Sequence, residues 1–514
     1  MLLDRVKPLD AILATAEKKG LHRSLGAFQL TLLGIGAVIG TGIFVLTSEA
    51  AQKAGPGMML SFVIAGLVCA VAALCYSELA SMVPVAGSAY TYTYAVMGEL
   101  LAWMVGWALI LEYAVGASAV AVGWSGYFVG LLDNSLGIHI PAALAAGPSA
   151  GGVINLPAVV ISLLVTGLLI IGTTESARFN AILVLIKVTA LTVFVAVAIP
   201  VMNSEHFEPF MPTGITGVAG AAASIFFAYV GFDAVSTAAE ETRNPQRNVP
   251  IGLIGSLLFC TIFYLIVAAG AIGATGDSSF AQPVRDAAGA FLQPGTSELT
   301  ARCQELAGMG HEPLACSREA LAHVLRSIGW TKLGNLIGLA AFLALPSVVL
   351  MMMFGQTRIF FVMARDGLLP EKLASVHPKF KTPHIVTAFT GIVVTLAAAF
   401  LPVGRLADYS NSGTLFAFAM VALAVLVLRR ADPGRARPFR TPAVMIIAPL
   451  AIAGCLYLYV SLPLIAILVL PVWGIVGLLI YFGYSRSRSH VGRGIVDVPE
   501  TEIADIEPPI PGTE

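Results

Sequence analysis

Long apolar runs follow one another along the chain and are separated by short charged segments. A bilayer core of about 30 Å is crossed by roughly 20 apolar residues in a helix. Eight stretches of at least this length contain no Asp, Glu, Lys or Arg, and they run over 24–48, 54–77, 134–174, 248–276, 333–357, 384–404, 409–428 and 443–484. The pattern therefore predicts membrane-spanning helices.

Two of these stretches do not correspond to a single helix of their own length. The stretch 443–484 is long enough for two helices with a break near Pro463, and 134–174 begins as a Gly-, Pro- and Ala-rich loop before one helix at 153–172. Three further apolar stretches each contain one charged residue, and they run over 100–132, 179–204 and 209–239. We predict an all-α polytopic membrane protein with 12 transmembrane helices, numbered helix 1 to helix 12 in chain order.

The composition agrees with this class. Charged residues make up 11% of the 514 residues, against roughly 25% in a soluble domain. Hydrophobic residues make up 57%, and the mean hydropathy is +0.86. So few charges cannot cover the surface of a soluble protein of this size. They also exclude a disordered chain and a nucleic-acid-binding surface, so that the expected surroundings are a lipid bilayer and no nucleic acid.

The positions of Lys and Arg predict that both termini are cytoplasmic, because cytoplasmic loops of membrane proteins carry an excess of basic residues. With the N-terminus inside, 21 of the 29 basic residues fall in cytoplasmic segments. The short outer loops hold only Lys53 and Arg405, the segment 277–332 holds five, and Lys187 lies within a span. A multi-pass membrane location with this orientation is expected.

Three regions follow from the spans. We expect a cytoplasmic N-terminal segment over 1–26, a transmembrane domain over 27–484 and a disordered cytoplasmic tail over 485–514. Within the domain, 277–332 is a long extracytoplasmic loop between helices 7 and 8. The N-terminal segment is too polar to contain the apolar core of a signal peptide.

Two of the six cysteines differ from the rest in their surroundings. Cys303 and Cys316 both lie in the long outer loop, 13 positions apart, in an oxidising compartment. A disulfide between them is a candidate on these grounds. The other four lie within predicted spans, where small buried apolar side chains are the expected role.

Helix 1 contains four glycines in the run GIGAVIGTGIF at 34–44. Each glycine costs about 1 kcal/mol in an ordinary helix interior. One interpretation is close packing between helices, since small residues are enriched at membrane interfaces. The other is a helix broken in mid-membrane, whose free N–H groups bind an anion such as a carboxylate. Gly40, Thr41 and Gly42 are the candidates for that role.

Helix 6 contains a second mid-span glycine, in the run FFAYVGFDAVST at 226–237. Asp233 follows this glycine by two residues and either caps the second half of a broken helix or acts directly on substrate or protons. A break would also free carbonyl groups near Phe227, Ala228 and Val230 to accept hydrogen bonds from an ammonium group. Both roles of Asp233 require an interrupted helix.

Helices 1 and 6 occupy matching positions if the first ten helices form two halves, 1–5 and 6–10. The odd number of helices per half means that the halves insert in opposite directions. Paired interrupted helices at corresponding positions of an inverted repeat indicate a transporter's binding site.

Lys187 lies nine residues into helix 5, about 13 Å from its cytoplasmic end at about 1.5 Å per residue. A lysine that extends its ammonium to the membrane interface is one interpretation. The other is a coupling residue that binds and releases a proton in each cycle, because burial disfavours the charged form. Ser347, beside Pro346 in helix 8, is a candidate neighbour.

Glu112 lies in the middle of helix 3, next to Tyr113. A carboxylate at this depth is expected to be protonated or partnered. It lines the side-chain end of a substrate pocket, with Tyr113 and Tyr229, or it hydrogen-bonds a neighbouring helix. None of the eight histidines lies deep in a span, and no phosphate-binding glycine loop is present. No catalytic residues, metal or cofactor are therefore expected.

Several runs together resemble an amino acid permease of the amino acid–polyamine–organocation superfamily. They are GIGAVIGTGIF, YSELASMVPVAGSAYTYTYAVMGEL at 76–100, FFAYVGFDAVSTAAEETRNPQRNVP at 226–250 and GQTRIFFVMARDGLLP at 355–370. The run WALILEYAVGASAVAVGWSGY at 107–127 is typical of the bacterial cationic amino acid transporter branch. The resemblance covers about 24–485 except the long outer loop.

The resemblance implies the leucine-transporter type of fold, a five-plus-five inverted repeat with helices 11 and 12 added. It also implies that Thr41 and Gly42 bind the α-carboxylate of an amino acid and that Lys187 takes part in proton coupling. Phe227 is implied as a gate over the site. The backbone groups implied to bind the α-amine are those of Val38, Phe227, Ala228 and Val230.

These observations predict a secondary active transporter that imports L-amino acids with protons by alternating access. An obligate exchanger on the same fold and a sensor that binds without transport are the alternatives. The branch favours cationic amino acids, while small neutral substrates stay open. An intramembrane enzyme is not expected, and the sequence does not predict the oligomeric state or a small membrane-protein subunit.

Overall fold

The structure is a computed structural model that describes residues 5–9, 25–83, 88–172, 177–239, 242–274, 279–380 and 382–494. Its regular elements in these ranges are helices. Most of the predicted N-terminal segment 1–26, and residues 495–514 of the predicted tail, lie outside the described residues.

Apolar helices of two length classes build the described part of the chain. Seven helical stretches are long and apolar enough to cross a membrane, and five apolar helices of 10–17 residues are shorter. The described residues therefore agree with the predicted all-α, multi-pass membrane protein. Helix 1 consists of Ala27–Val38, Thr41–Phe44 and Leu46–Ala54. Helices 2 to 5 are Met58–Met82, Glu99–Leu131, Leu156–Ile171 and Ala177–Ala198. Helix 6 consists of Gly214–Ile225, Phe226–Tyr229 and Ala234–Thr237. Helices 7 to 12 occupy Pro245–Gly273, Thr331–Arg365, His384–Phe400, Val403–Ala431, Val444–Val460 and Leu464–Ile480.

Proline and asparagine mark several helix starts for local reasons. Asn155 accepts a hydrogen bond of 3.2 Å from the Ala158 amide, which satisfies one free donor of helix 4. Pro463 occupies the N-cap position of helix 12, so helices 11 and 12 separate where the sequence predicts. Helix 10 begins at Val403 rather than at the predicted 409, because the charged side chain of Asp408 is accommodated inside the bundle.

Helix 3 lies at the centre of the bundle and helix 12 at its edge. In the most apolar window of helix 3, 89% of the residues are buried, against 22% in that of helix 12. Apolar residues such as Leu464 and Leu479 of helix 12 are about two-thirds exposed and form a surface suited to lipid. Side chains of helix 3 are therefore placed to reach helices on several sides.

The long segment between helices 7 and 8 folds over one end of the bundle, which we call the loop end. It contains the helices Ser297–Gly308 and Ala320–Ser327. A disulfide joins Cys303 of the first of these helices to Cys316, which lies before the second helix; their Cα atoms are 5.5 Å apart. Gln52 of helix 1 attaches the segment by donating to the carbonyl oxygens of Val284 at 2.9 Å and Leu292 at 2.7 Å.

Candidate functional site

Helix 1 is interrupted twice near its middle. The first interruption is at Ile39–Gly40, where Gly40 adopts φ −152° and ψ −147°, and the second is at Val45. Between them, Thr41–Phe44 forms a single turn. Thr41 is 1% exposed, and its hydroxyl oxygen is buried with no hydrogen-bond partner in the described part of the chain. The glycine-rich run thus produces the predicted break.

Helix 6 is also interrupted near its middle. The α-helix ends at Ile225, Phe226–Tyr229 forms a 3-10 turn, and the chain is then extended at Val230 with ψ 138°. Gly231 has φ +111°, a conformation that favours glycine. The carbonyl oxygen of Phe227 accepts a hydrogen bond of 3.3 Å from the Val230 amide.

The two interrupted helices cross in direct contact. A Cβ atom on Gly42 would lie 2.2 Å from the Cα atom of Ala228, and one on Gly231 would lie 2.9 Å from the carbonyl oxygen of Ala37. Glycine is thus required at both positions, because any side chain would push the helices apart. The contact brings the predicted carboxylate-binding turn of helix 1 beside the predicted amine-binding carbonyls of helix 6.

Tyr264 of helix 7, which is not among the predicted site residues, joins the two breaks. Its hydroxyl oxygen lies 2.9 Å from the carbonyl oxygen of Val38 and 3.2 Å from that of Ala228. Both carbonyls belong to the set predicted to bind the substrate amine. No sequence signal distinguishes this tyrosine, because a tyrosine in an apolar span usually packs in the core.

Lys187 reaches helix 1 rather than the membrane interface. The residue is 1% exposed, and its ammonium donates a hydrogen bond of 2.9 Å to the carbonyl oxygen of Gly36. Gly36 lies four residues before the break at Gly40. Ser347, the candidate neighbour, is buried and donates a hydrogen bond of 2.8 Å to Ala344 of its own helix.

Asp233 is positioned beside helix 3. It occupies the N-cap position of Ala234–Thr237, but its side chain makes no cap hydrogen bond, so the predicted capping role is wrong for this structure. Instead, the hydroxyl of Tyr113 donates to its Oδ2 atom at 3.3 Å. The aspartate is 2% exposed.

Glu112 is buried one residue before Tyr113. The residue is 1% exposed, and neither carboxylate oxygen has a hydrogen-bond partner among the described residues. Ser410 of helix 10 donates to its backbone carbonyl at 3.0 Å, and a Cβ atom on Gly413 would lie 3.6 Å from the Cβ atom of Glu112, so this residue packs against helix 10. Desolvation of a carboxylate oxygen without a donor is costly.

Tyr229, the third residue predicted for the side-chain pocket, contacts helices 2 and 7. Its hydroxyl donates a hydrogen bond of 2.9 Å to the carbonyl oxygen of Phe62 in helix 2, and its ring packs beside that of Tyr264 with centroids 5.6 Å apart. The backbone of the 3-10 turn determines this direction.

An ion pair connects three helices near the loop end. The ammonium of Lys53 lies 3.3 Å from Oδ2 of Asp408, and the hydroxyl of Ser224 bridges the two residues through hydrogen bonds to both. The pair joins the last part of helix 1 to the first part of helix 6 and to helix 10.

Ion pairs also close the opposite end of the bundle. Lys7 lies 2.9 Å from Asp366 at the end of helix 8, and Tyr90 donates to the same carboxylate at 2.8 Å. Arg5 lies 3.2 Å from Glu99 at the start of helix 3. The N-terminal segment is thus tied across helices that approach this end.

Comparison with known proteins identifies the family. Residues 25–482 match the profile described as Amino acid permease. The chain belongs to the amino acid permease family. The predicted resemblance is confirmed, and the chain is a transporter rather than an enzyme.

Similar permeases and transporters cover nearly the whole chain. The branched-chain amino acid permease BcaP of Bacillus subtilis (strain 168) is 46% identical over 488 residues, which are 94% of this chain and 97% of the relative. The methylthioribose transporter of the same strain is 43% identical over 494 residues, which are 96% and 99%. The vacuolar cationic amino acid transporter 2 of Arabidopsis thaliana is 35% identical over 441 residues, which are 84% and 64%. In this permease the paired helix breaks are the candidate binding site.

Proposed function

We propose that this permease imports L-amino acids together with protons across the bacterial inner membrane, by alternating access and with both termini in the cytoplasm. The observation that carries the proposal is the contact of two interrupted helices at Gly42 and Ala228. Helix interruptions at mid-membrane are typical of transporter sites, because they expose backbone dipoles to a ligand. Twelve spans, the two inverted five-helix halves and the three predicted regions of the chain belong to this proposal.

The backbone of the two breaks would recognise the amino acid itself. Amides at Gly40, Thr41 and Gly42 would bind the carboxylate at the start of the Thr41–Phe44 turn. The carbonyl oxygens of Val38, Phe227, Ala228 and Val230 would accept hydrogen bonds from the amine. Val38 and Phe227 are 2% and 3% exposed, so the helices must separate before a substrate enters. Phe227 would move with the helix 6 break and thereby gate the site.

Lys187 would couple protons to this movement. Its ammonium holds a carbonyl of helix 1 one turn before the break, and loss of the proton would weaken that bond. Protonation therefore biases the position of helix 1, since a ligand shifts an equilibrium only by binding one state better than the other. Asp233 and Ser347 are the further coupling candidates.

Cationic side chains are the substrate class that the buried carboxylate of Glu112 would favour. An ammonium or guanidinium group would supply the donors that this carboxylate lacks. The names of the relatives include branched-chain and cationic amino acids. Thermal-shift measurements of the purified protein against the twenty amino acids decide between these classes, since a ligand that binds the folded state raises its stability.

Uptake into proteoliposomes tests the coupling. An imposed inward proton gradient is expected to accumulate labelled amino acid against its gradient. Counterflow of amino acid without any response to the proton gradient would instead identify an exchanger. Saturable binding with neither uptake nor counterflow would identify a sensor.

A further inference from the structure

A cavity of about 470 Å³ lies at the loop end of the molecule. Helix 1 contributes Val45, Ser48 and Glu49 to its lining, and helix 3 contributes Ser125. The segment between helices 7 and 8 closes the other side with residues that include Glu319. Cavities of roughly 300–1,000 Å³ accommodate small molecules. This one is separate from the turn Thr41–Phe44 but reaches the second interruption of helix 1 at Val45.

Two carboxylates in this lining have unsatisfied oxygens. Glu319 is 7% exposed, and its Oε1 atom accepts a hydrogen bond of 2.7 Å from Arg326. Its Oε2 atom is buried without a hydrogen-bond partner in the described ranges, and so is the Oε2 atom of Glu49. A buried acceptor without a donor loses its hydration without compensation. A ligand with N–H groups would provide the missing donors.

The basic groups of the lining are already used. Arg326 is paired with Glu319, and Arg318 donates to the carbonyl oxygen of Ala145 at 3.0 Å. His323 lies with its Nε2 atom 2.8 Å from the carbonyl oxygen of Glu312. Glu319 is thus neutralised by Arg326, but its Oε2 atom and the Oε2 atom of Glu49 remain as acceptors for the N–H groups of a ligand.

We propose that this cavity binds the ammonium or guanidinium group of an organic cation, with Glu49 and Glu319 as its acceptors. The ligand class comprises diamines and cationic amino acids. An amino acid held here would lie at the second interruption of helix 1, on the loop side of the candidate substrate site. Binding in the cavity does not depend on the proposed function. Only the later step, in which the amino acid moves from the cavity to the helix breaks, rests on it.

The probe that tests the proposal is 1,5-diaminopentane, which has two ammonium groups and no carboxylate for the helix 1 break. Calorimetric titration of the purified full chain is expected to show saturable binding. The double variant Glu49→Gln/Glu319→Gln is expected to weaken binding at least tenfold. Glu298→Gln removes one charge from the same segment at an exposed position outside the cavity and is expected to leave binding unchanged.

Two further measurements keep the outcomes distinct. A cooperative thermal unfolding transition and an unchanged elution volume in gel filtration show that the double variant is folded, and the single variant Glu49→Gln serves if it is not. Glu112→Gln removes the central carboxylate, and Glu49→Gln is expected to weaken diamine binding by the same factor with and without it. Absence of saturable binding, unchanged binding in the Glu49 variants, or loss only in Glu112→Gln would overturn the proposal. Failure of proton-driven uptake with diamine binding retained would overturn the proposed function alone.

Discussion

The ammonium of Lys187 in helix 5 donates a hydrogen bond of 2.9 Å to the carbonyl oxygen of Gly36 in helix 1. The bond thus connects helix 5 to the part of helix 1 that precedes the break. If Lys187 carries the coupling proton, Lys187→Ala is expected to bind amino acid but to lose the dependence of uptake on a pH gradient. Uptake into proteoliposomes at several imposed gradients measures this.

Lys332→Ala is the matched control for Lys187→Ala. It removes a lysine at an exposed position of helix 8 near the loop end. The control is expected to keep the proton response of the parent protein. Proton-dependent accumulation by Lys187→Ala equal to that of the control would remove Lys187 from the mechanism.

Gly42→Ala is expected to impair both stability and substrate binding. The added methyl group would lie 2.2 Å from the Cα atom of Ala228, so helices 1 and 6 must separate. Overpacking of this kind costs about 1–3 kcal/mol. Gly167→Ala in helix 4 meets no atom within 4 Å and is expected to be tolerated. Equal thermal stability and equal amino acid affinity of the two variants would contradict a required contact at Gly42.

Tyr264→Phe is expected to raise amino acid affinity while lowering the stability of the ligand-free protein. The hydroxyl occupies carbonyls of Val38 and Ala228 that the substrate amine would use, so its removal eliminates a competitor. The lost hydrogen bond costs about 1 kcal/mol. Tyr127→Phe removes a hydroxyl that donates to Phe44 at 2.7 Å, outside the predicted amine site. This control should lose stability alone; reduced affinity in Tyr264→Phe would show that the hydroxyl assists binding.

The interruptions of helices 1 and 6 were predictable because they depend on local sequence. Glycines at 40 and 231 weaken a helix wherever it lies, and the structure is interrupted at both. The side-chain direction of Tyr229 was not predictable, because a 3-10 turn rotates each residue relative to an α-helix.

Pairs distant in sequence escaped prediction for a different reason. Lys53 and Asp408 are 355 residues apart, and counting charges placed Lys53 in an outer loop. The prediction of helix 10 from an uncharged run excludes Asp408, although its carboxylate is buried in the structure beside its partner Lys53. Only the packing of helices 1, 6 and 10 reveals that the two charges compensate each other.

The ion pairs at the two ends are expected to act in opposite directions on access to helix 1. Asp408→Asn weakens the connection to Lys53 and should increase the rate at which a membrane-impermeant thiol reagent modifies Ser48→Cys, which lies in the loop-end cavity. Asp366→Asn weakens the pair with Lys7 at the other end and should decrease that rate, because it favours the opposite opening. Equal labelling rates in both backgrounds would show that these pairs do not control access.

Glu319 is expected to make the stability of the protein depend on pH. Burial raises the pKa of its carboxyl group from 4.5 to about 7, although Arg326 acts in the opposite direction. Between pH 4.5 and about 7 the folded state therefore retains a proton that the unfolded state has released. The contribution of this group to the free energy of unfolding falls as pH rises through that window and is constant above it.

The difference in unfolding temperature between the parent protein and Glu319→Gln, followed from pH 5 to 8, isolates this group, because the contributions of the other titrating residues cancel. The parent should lose stability relative to the variant between pH 5 and 7; a difference that does not change with pH would show that the carboxyl group titrates normally.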